Sequence, residues 1–292
     1  MNVVNRKLIV SLLVAVPLSG FGRQSVDETW DIDAGATISI ENIAGQIEIQ
    51  GWDRNEVHLT GELGDSVEEL EISETSSGLR INVINREERN IDNTELRLMV
   101  PNDANIDASA VSADIDVLDM DNEKLTASSV SGNVEVEAAC DWVSIESVSG
   151  DVTFSGDTGR ISAESVSGDI ELSGVSGEVT ATTVSGDMGL LTGAVESAKL
   201  ETVSGDITTD GEISGNGRLT AESMSGDVII NLPASQAGLF KAQSFSGRIS
   251  TDFGSVNHAK HGPGSHLKHV SGSTGAEIRI ESFSGNIKLK HN

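Results

Sequence analysis

One cysteine in 292 residues leaves this chain unable to form an intrachain disulfide, so packing and backbone hydrogen bonding must hold it together. Aromatic residues are also scarce: there is no tyrosine, and Trp30, Trp52 and Trp142 recur at no fixed spacing. A polysaccharide-binding face lined with stacking rings is therefore not expected. Cations are few, with 19 Lys and Arg against 46 Asp and Glu and a formal charge of −27. A surface of that sign argues against general nucleic-acid binding, which requires basic groups to displace counterions. Beyond the first residues, no apolar run is long enough to cross a bilayer as a helix.

What the chain does have is a repeated tetrapeptide. Val-Ser-Gly-Asp is intact at 148–151, 166–169, 184–187 and 203–206, and near copies start at 111, 130, 224, 245 and 283. Its third position falls at 113 (Ala), 132, 150, 168, 186, 205, 226, 247 and 285, so the unit is 18 to 21 residues long until a last gap of 38. Self-similarity at such a period is the signature of one small unit stacked many times.

Each unit follows the same grammar. Val152 and Phe154 alternate with Asp151 and Thr153, the period-two pattern of a half-buried strand. Ser155 to Gly159 is turn chemistry, and Ile161 and Ala163 alternate with Ser162 and Glu164 in a second strand that runs into Val166. The expected fold is all-β, a parallel β-helix or β-solenoid of about 18–21 residues per coil with irregular N-terminal capping coils. Stacked at about 4.8 Å, the nine units make a rod of roughly 40 Å. In this reading the repeat valine packs, the glycine permits a corner or a close approach between coils, and the serine hydroxyls bond between coils. Lys288 and Lys290, on the last strand of the sequence, are expected to guard a terminal edge.

The chain divides into an export signal (1–22), irregular β coils or a cap (23–108), and the repetitive solenoid (109–292) with a His-rich loop at 254–272. Arg6 and Lys7 precede an apolar run from Leu8 to Leu18, followed by Ser19, Gly20 and Gly22. That order is a secretory signal, which places the mature protein in the periplasm or at the cell surface without a transmembrane segment. Charge is uneven: residues 241–292 carry seven Lys and Arg against three acids, so the acidic body ends in a mildly basic tip.

The segments Thr37-Ile-Ser-Ile-Glu-Asn-Ile-Ala-Gly45 and Gly51-Trp-Asp-Arg54, the repeated Ser-Val-Ser-Gly-Asp units and the closing Ile280-Glu-Ser-Phe-Ser-Gly-Asn-Ile287 resemble the bacterial putative-adhesin domain family. The resemblance covers nearly all of the mature chain. It implies an extracytoplasmic β-helix, associated in some relatives with the cell surface or with envelope-stress systems, and it brings no catalytic motif.

Three features carry candidate chemistry. Asp151, Asp169, Asp187, Asp206 and Asp227 share one point of the coil with Asp114 and Asn133, as a column facing cations or a partner. Stacked carboxylates repel, and calcium could relieve that, but Asp after Gly is also ordinary turn chemistry. His258, His261, His266 and His269 surround a Gly-Pro-Gly turn at spacings that could converge on zinc or copper, although Lys260 and Lys268 in the same loop disfavour a bound cation. The repeated serines lack an accompanying base, and nine copies cannot all be nucleophiles. Cys140, in Ala-Ala-Cys-Asp-Trp, reads as a small core residue.

The expectation is an exported, non-enzymatic, adhesin-like interaction or structural protein of the cell envelope, without a resident cofactor, whose partner is an unidentified protein or envelope component. The alternative is an envelope-stress sensor or sequestering protein that binds cationic peptides or metal ions. A carbohydrate enzyme would require a clustered acid and base that the repeat does not offer.

Overall fold

The computed structural model describes residues 13–17, 24–86, 91–258, 264–273 and 275–292. The segment 1–22, expected to be an export signal, lies outside them except for Leu13–Pro17, whose backbone pairs antiparallel with Val67–Glu74. Every regular element among the described residues is a strand.

Two parallel ladders run the length of the molecule, joined in each coil by the repeat tetrapeptide. In the first, Ile115, Val134, Val152, Ile170, Met188, Ile207 and Val228 stand one above another in register. In the second, Leu125, Val143, Ile161, Val179, Ala198 and Leu219 do the same. All of these side chains point inward and are buried. A one-residue slip would turn each apolar column to solvent, so the alternation in sequence fixes the register.

Stacking order departs from chain order at both ends. The closing strands Ala276–Ser282 and Ile287–His291 insert between coil 218–232 and coil 238–251, pairing in parallel with both. Lys288 and Lys290 are therefore on an interior strand, not a terminal edge. The long gap in the repeat arises because the chain first builds the outermost coil, caps it, and then returns. The cap is Ser265–Ser271, antiparallel to Gly238–Ser244 and to Val256–His258. At the other end, Thr37–Trp52 is a complete coil held between coil 105–118 and the strands Gly78–Asn85 and Thr94–Pro101. Antiparallel strands finish that end, with Glu56–Leu63 on Thr94–Pro101, Gln24–Asp31 beyond it, and Val67–Glu74 on Gly78–Asn85. Counting these coils lengthens the rod to roughly 50 Å.

Antiparallel caps suit a parallel solenoid because they end it with strands that do not continue its register. Intercalation also makes the C-terminal coil a latch for the one outside it. A chain ending after residue 272 is expected to lose protection of residues 238–272 in limited proteolysis and hydrogen exchange, while 122–210 stays protected. Unchanged protection of 238–251 would contradict the pairing.

Candidate interaction face

The corner tetrapeptide is built from four columns with separate tasks. Its glycines sit where no Cβ fits: a Cβ on Gly150 would collide with the carbonyl oxygen of Gly132, one on Gly168 with that of Gly150, and one on Gly186 with that of Gly168. None of these three has a left-handed φ, so the requirement is close backbone approach.

Below the corner lies a buried hydroxyl column, two residues before the repeat serine. Ser147 Oγ accepts from the Gly150 N–H at 2.9 Å and donates to the Gly132 carbonyl at 3.2 Å. Ser129, Ser165 and Ser244 repeat both bonds, and Thr183, Thr202, Ser223 and Ser282 donate to the corresponding carbonyl. The hydroxyls that tie coil to coil are these, whereas the repeat serines Ser131, Ser149, Ser167 and Ser185 face solvent. Here the sequence expectation named the wrong serine, since two alternating residues both read as small and polar.

The aspartate column is a ladder of side chain to backbone bonds. Asp151 Oδ1 accepts the Asp169 N–H at 3.0 Å, Asp169 accepts that of Asp187 at 2.7 Å, Asp187 that of Asp206 at 2.8 Å, and Asp206 that of Asp227 at 2.7 Å. Asn133 does the same for Asp151 through its own Oδ1. At the far end Asp227 accepts from Asn286 and Asn286 accepts from Arg248, following the intercalated order. The Asn286 backbone N–H, with its side-chain amide and Lys288, holds the Asp227 carboxyl below the usual carboxylate range. Arg248 belongs to the outermost coil, where no further corner needs an acceptor. That position explains why the acid is dispensable at 248 although 286 comes later in the sequence.

The first residue of the tetrapeptide does not pack inside, contrary to expectation. Val111, Val130, Val148, Val166, Val184, Val203, Met224, Phe283 and Phe245 form one outward row, between 43% and 59% exposed. Their order along the rod follows from the corner bonds, in which the Ser284 N–H donates to Met224 and the Ser246 N–H to Phe283. Phe283 and Phe245 stack with centroids 4.9 Å apart and planes 7° from parallel. A shallow groove of about 420 Å³ runs beside the row, lined by Ala110, Val130, Val148, Val166 and Val184 with Glu146 and Glu164 on its wall. Periodicity alone could not reveal this outward row, because a valine at a corner reads the same as a valine in a strand.

The histidines do not share one surface among the described residues. His266 is exposed on the outer face of its strand, while His269 lies on the opposite face against Phe240, with ring centroids 6.1 Å apart. His261 and the side chain of His258 lie outside the described residues. Among the described residues, no group of three or more His, Cys, Asp or Glu side chains is arranged to hold a metal ion. Cys140 is buried in the core, and its thiol donates to the Trp142 carbonyl at 3.1 Å. Burial pushes its pKa up to about 11.

These contacts set two outcomes. Gly168→Ala should cost about 2 kcal/mol or more in denaturant unfolding, because backbone rather than a flexible side chain must move. Asp169→Ala should cost about 1 kcal/mol through one lost acceptor, while Asp169→Asn should be neutral or stabilising at low salt. Asparagine already does this work at 133 and 286, and the change relieves carboxylate repulsion of about 1 kcal/mol per neighbour before salt screening. For Cys140, the raised pKa means that the folded state keeps the proton while the unfolded thiol has lost it. Its contribution to stability is complete below pH 9 and is lost as pH rises toward 11, so Cys140→Ala should flatten the fall in unfolding free energy over that interval.

Solved structures to which the chain is similar include a putative adhesin from Bacteroides fragilis (13% identity, 91% of this chain and 97% of that one, TM-score 0.48). Others are a putative adhesin from Parabacteroides distasonis (10%, 91% and 97%, TM-score 0.33) and a putative cell adhesion protein from Clostridium sporogenes (11%, 92% and 100%, TM-score 0.25). No curated protein matches the chain. The model of one family, described as Toastrack DUF4097, matches residues 31–290, and the chain belongs to that family.

Proposed function

We propose that this protein is an exported, non-enzymatic, adhesin-like scaffold of the bacterial cell envelope that engages its partner through the exposed apolar row of the corners. The observation that carries this reading is the row itself. Nine large apolar side chains in line, over roughly 40 Å, form a continuous strip rather than the scattered exposure usual on a soluble surface. The N-terminal apolar run behind Arg6 and Lys7 supports export. No helix among the described residues is long and apolar enough to cross a membrane.

The corner chemistry supports a binding role over a catalytic one. The repeat serines face solvent, no hydrogen bond from their hydroxyls to a His, Asp or Glu side chain occurs among the described residues, and the aspartates already accept backbone N–H groups. Metal binding along the aspartate column has less support for the same reason, since one oxygen of each carboxylate is committed to the next coil.

A photo-crosslinking amino acid placed at Val166 or Val184 in cells that express the full chain should give adducts in the envelope fraction, and one placed at the exposed Asp157, in the turn at the opposite end of the coil, should not. Equal adducts at all three sites, or a chain retained in the cytoplasm with its N-terminus intact, would overturn the proposal.

A further inference from the structure

We infer that the corner row receives a cationic amphipathic helix lying along the rod axis, an inference that rests on the row being the working face. The argument is the charge on both sides of it. Glu146 and Glu164 point outward two residues before Val148 and Val166, about 7 Å away along the strand. Asp151 and Asp169 lie three residues after them, across the corner. No Lys or Arg among the described residues pairs with any of these four carboxylates. Of the cations of this ladder, Arg160 pairs with Glu178 and Lys241 with Glu277, away from the border; only nearer the C-terminal coils is it reached, as where Lys199 pairs with Glu201 beside Val203. The middle of the row is thus an apolar ridge between two unneutralised acidic borders.

That cross-section selects the shape of its occupant. An amphipathic helix presents an apolar seam with charged residues on both flanks, and its diameter of about 10 Å lets flanking Lys and Arg reach both borders. An extended strand places its polar residues on the face opposite its apolar ones, so its cations would point away from the acids. A second copy of this chain would set acidic borders against acidic borders, which like-charge repulsion opposes. Toward Phe245 the borders change to Gln243 on one side and Arg248 on the other, so the acidic track ends at the stacked phenylalanines. A helix of about 25 residues covers the whole row.

The test uses the full mature chain and a synthetic 25-residue Leu/Lys amphipathic helix, with binding followed by calorimetry and helix formation by circular dichroism. Two controls accompany it: a scrambled peptide of the same composition, and an analogue with Lys replaced by Gln. The probe should bind and gain helicity, weakening about tenfold when Val148→Thr, Val166→Thr and Val184→Thr are combined, and again when Glu146→Gln and Glu164→Gln are combined. All five sites are exposed, so both variants should melt as the parent does. Affinity should also fall with added salt. Equal binding of the scrambled peptide, insensitive to the Thr changes, would reduce the effect to diffuse attraction and overturn the inference and the role of the row together. Equal binding of the Gln analogue, still sensitive to the Thr changes, would overturn the charge match and leave the row standing. A dimer in sedimentation that the Thr changes dissolve would make a second copy the occupant, and would overturn the inference alone.

Discussion

Everything in this molecule depends on how closely its backbones stack at the corner. Each corner glycine rests on the carbonyl of the corresponding residue one coil down the stack, Ala113 beneath Gly132 and a glycine beneath the others, at a separation that admits no Cβ. Once that contact is set, the other columns follow. A hydroxyl must lie beneath it to satisfy the glycine N–H and the preceding carbonyl, which Ser147 and its equivalents supply. An acceptor must lie just beyond it for the next N–H, which the aspartates supply. The tetrapeptide and the residue before it are therefore one hydrogen-bonding unit, repeated because each copy completes its neighbour.

The same logic explains where the repeat lapses. A column whose task is to serve the next coil has no task in the outermost one, and Arg248 stands in the outermost coil. Sequence order hides this, because the strand carrying Asn286 comes last in the chain but one coil short of the end. Asn286 keeps the acceptor that Arg248 lacks, and its amide bonds both neighbours. The ends are also where quasi-one-dimensional independence breaks down. Removing a terminal unit from an ordinary solenoid leaves the others intact. Here each end coil depends on a segment distant in the chain, which couples the termini to the body.

Much of the fold was legible because its determinants are periodic. The inward columns through Val152 and Ile170 show as alternation, and the coil length shows as the spacing of Ser-Gly-Asp. Intercalation was not legible, because nothing local distinguishes a strand that extends a stack from one that enters it. Lys288 illustrates the consequence: a lysine on the last strand suggests a guarded edge, yet the strand has neighbours on both sides. The candidate face was misread for a similar reason. Strand alternation predicts which way Val152 points, but at a corner the chain turns and the rule lapses, so Val148 and its equivalents point to solvent.

The outward valine, like the solvent-facing serine after it, has a side chain that no backbone group of the stack requires, and of the two it alone is apolar. Glycine, hydroxyl and acid are each required by a backbone group of the adjoining coil, and replacing any of them leaves that group crowded or unpaired. The side chain at 148 stands in line with its equivalents above and below and remains nearly half exposed. Mutual contact along the row contributes some stability, but threonine, equally β-branched, would pack there and carry a hydroxyl to water. Outside the row the exposed large apolar side chains among the described residues, Leu191 and Val270, stand singly, whereas this position is apolar in every coil from Val111 to Phe245. The constraint on that column must then come from outside the coil stack. The partner proposed for the row would account for it, and the acidic borders beside Val148 and Val166 restrict what that partner can be.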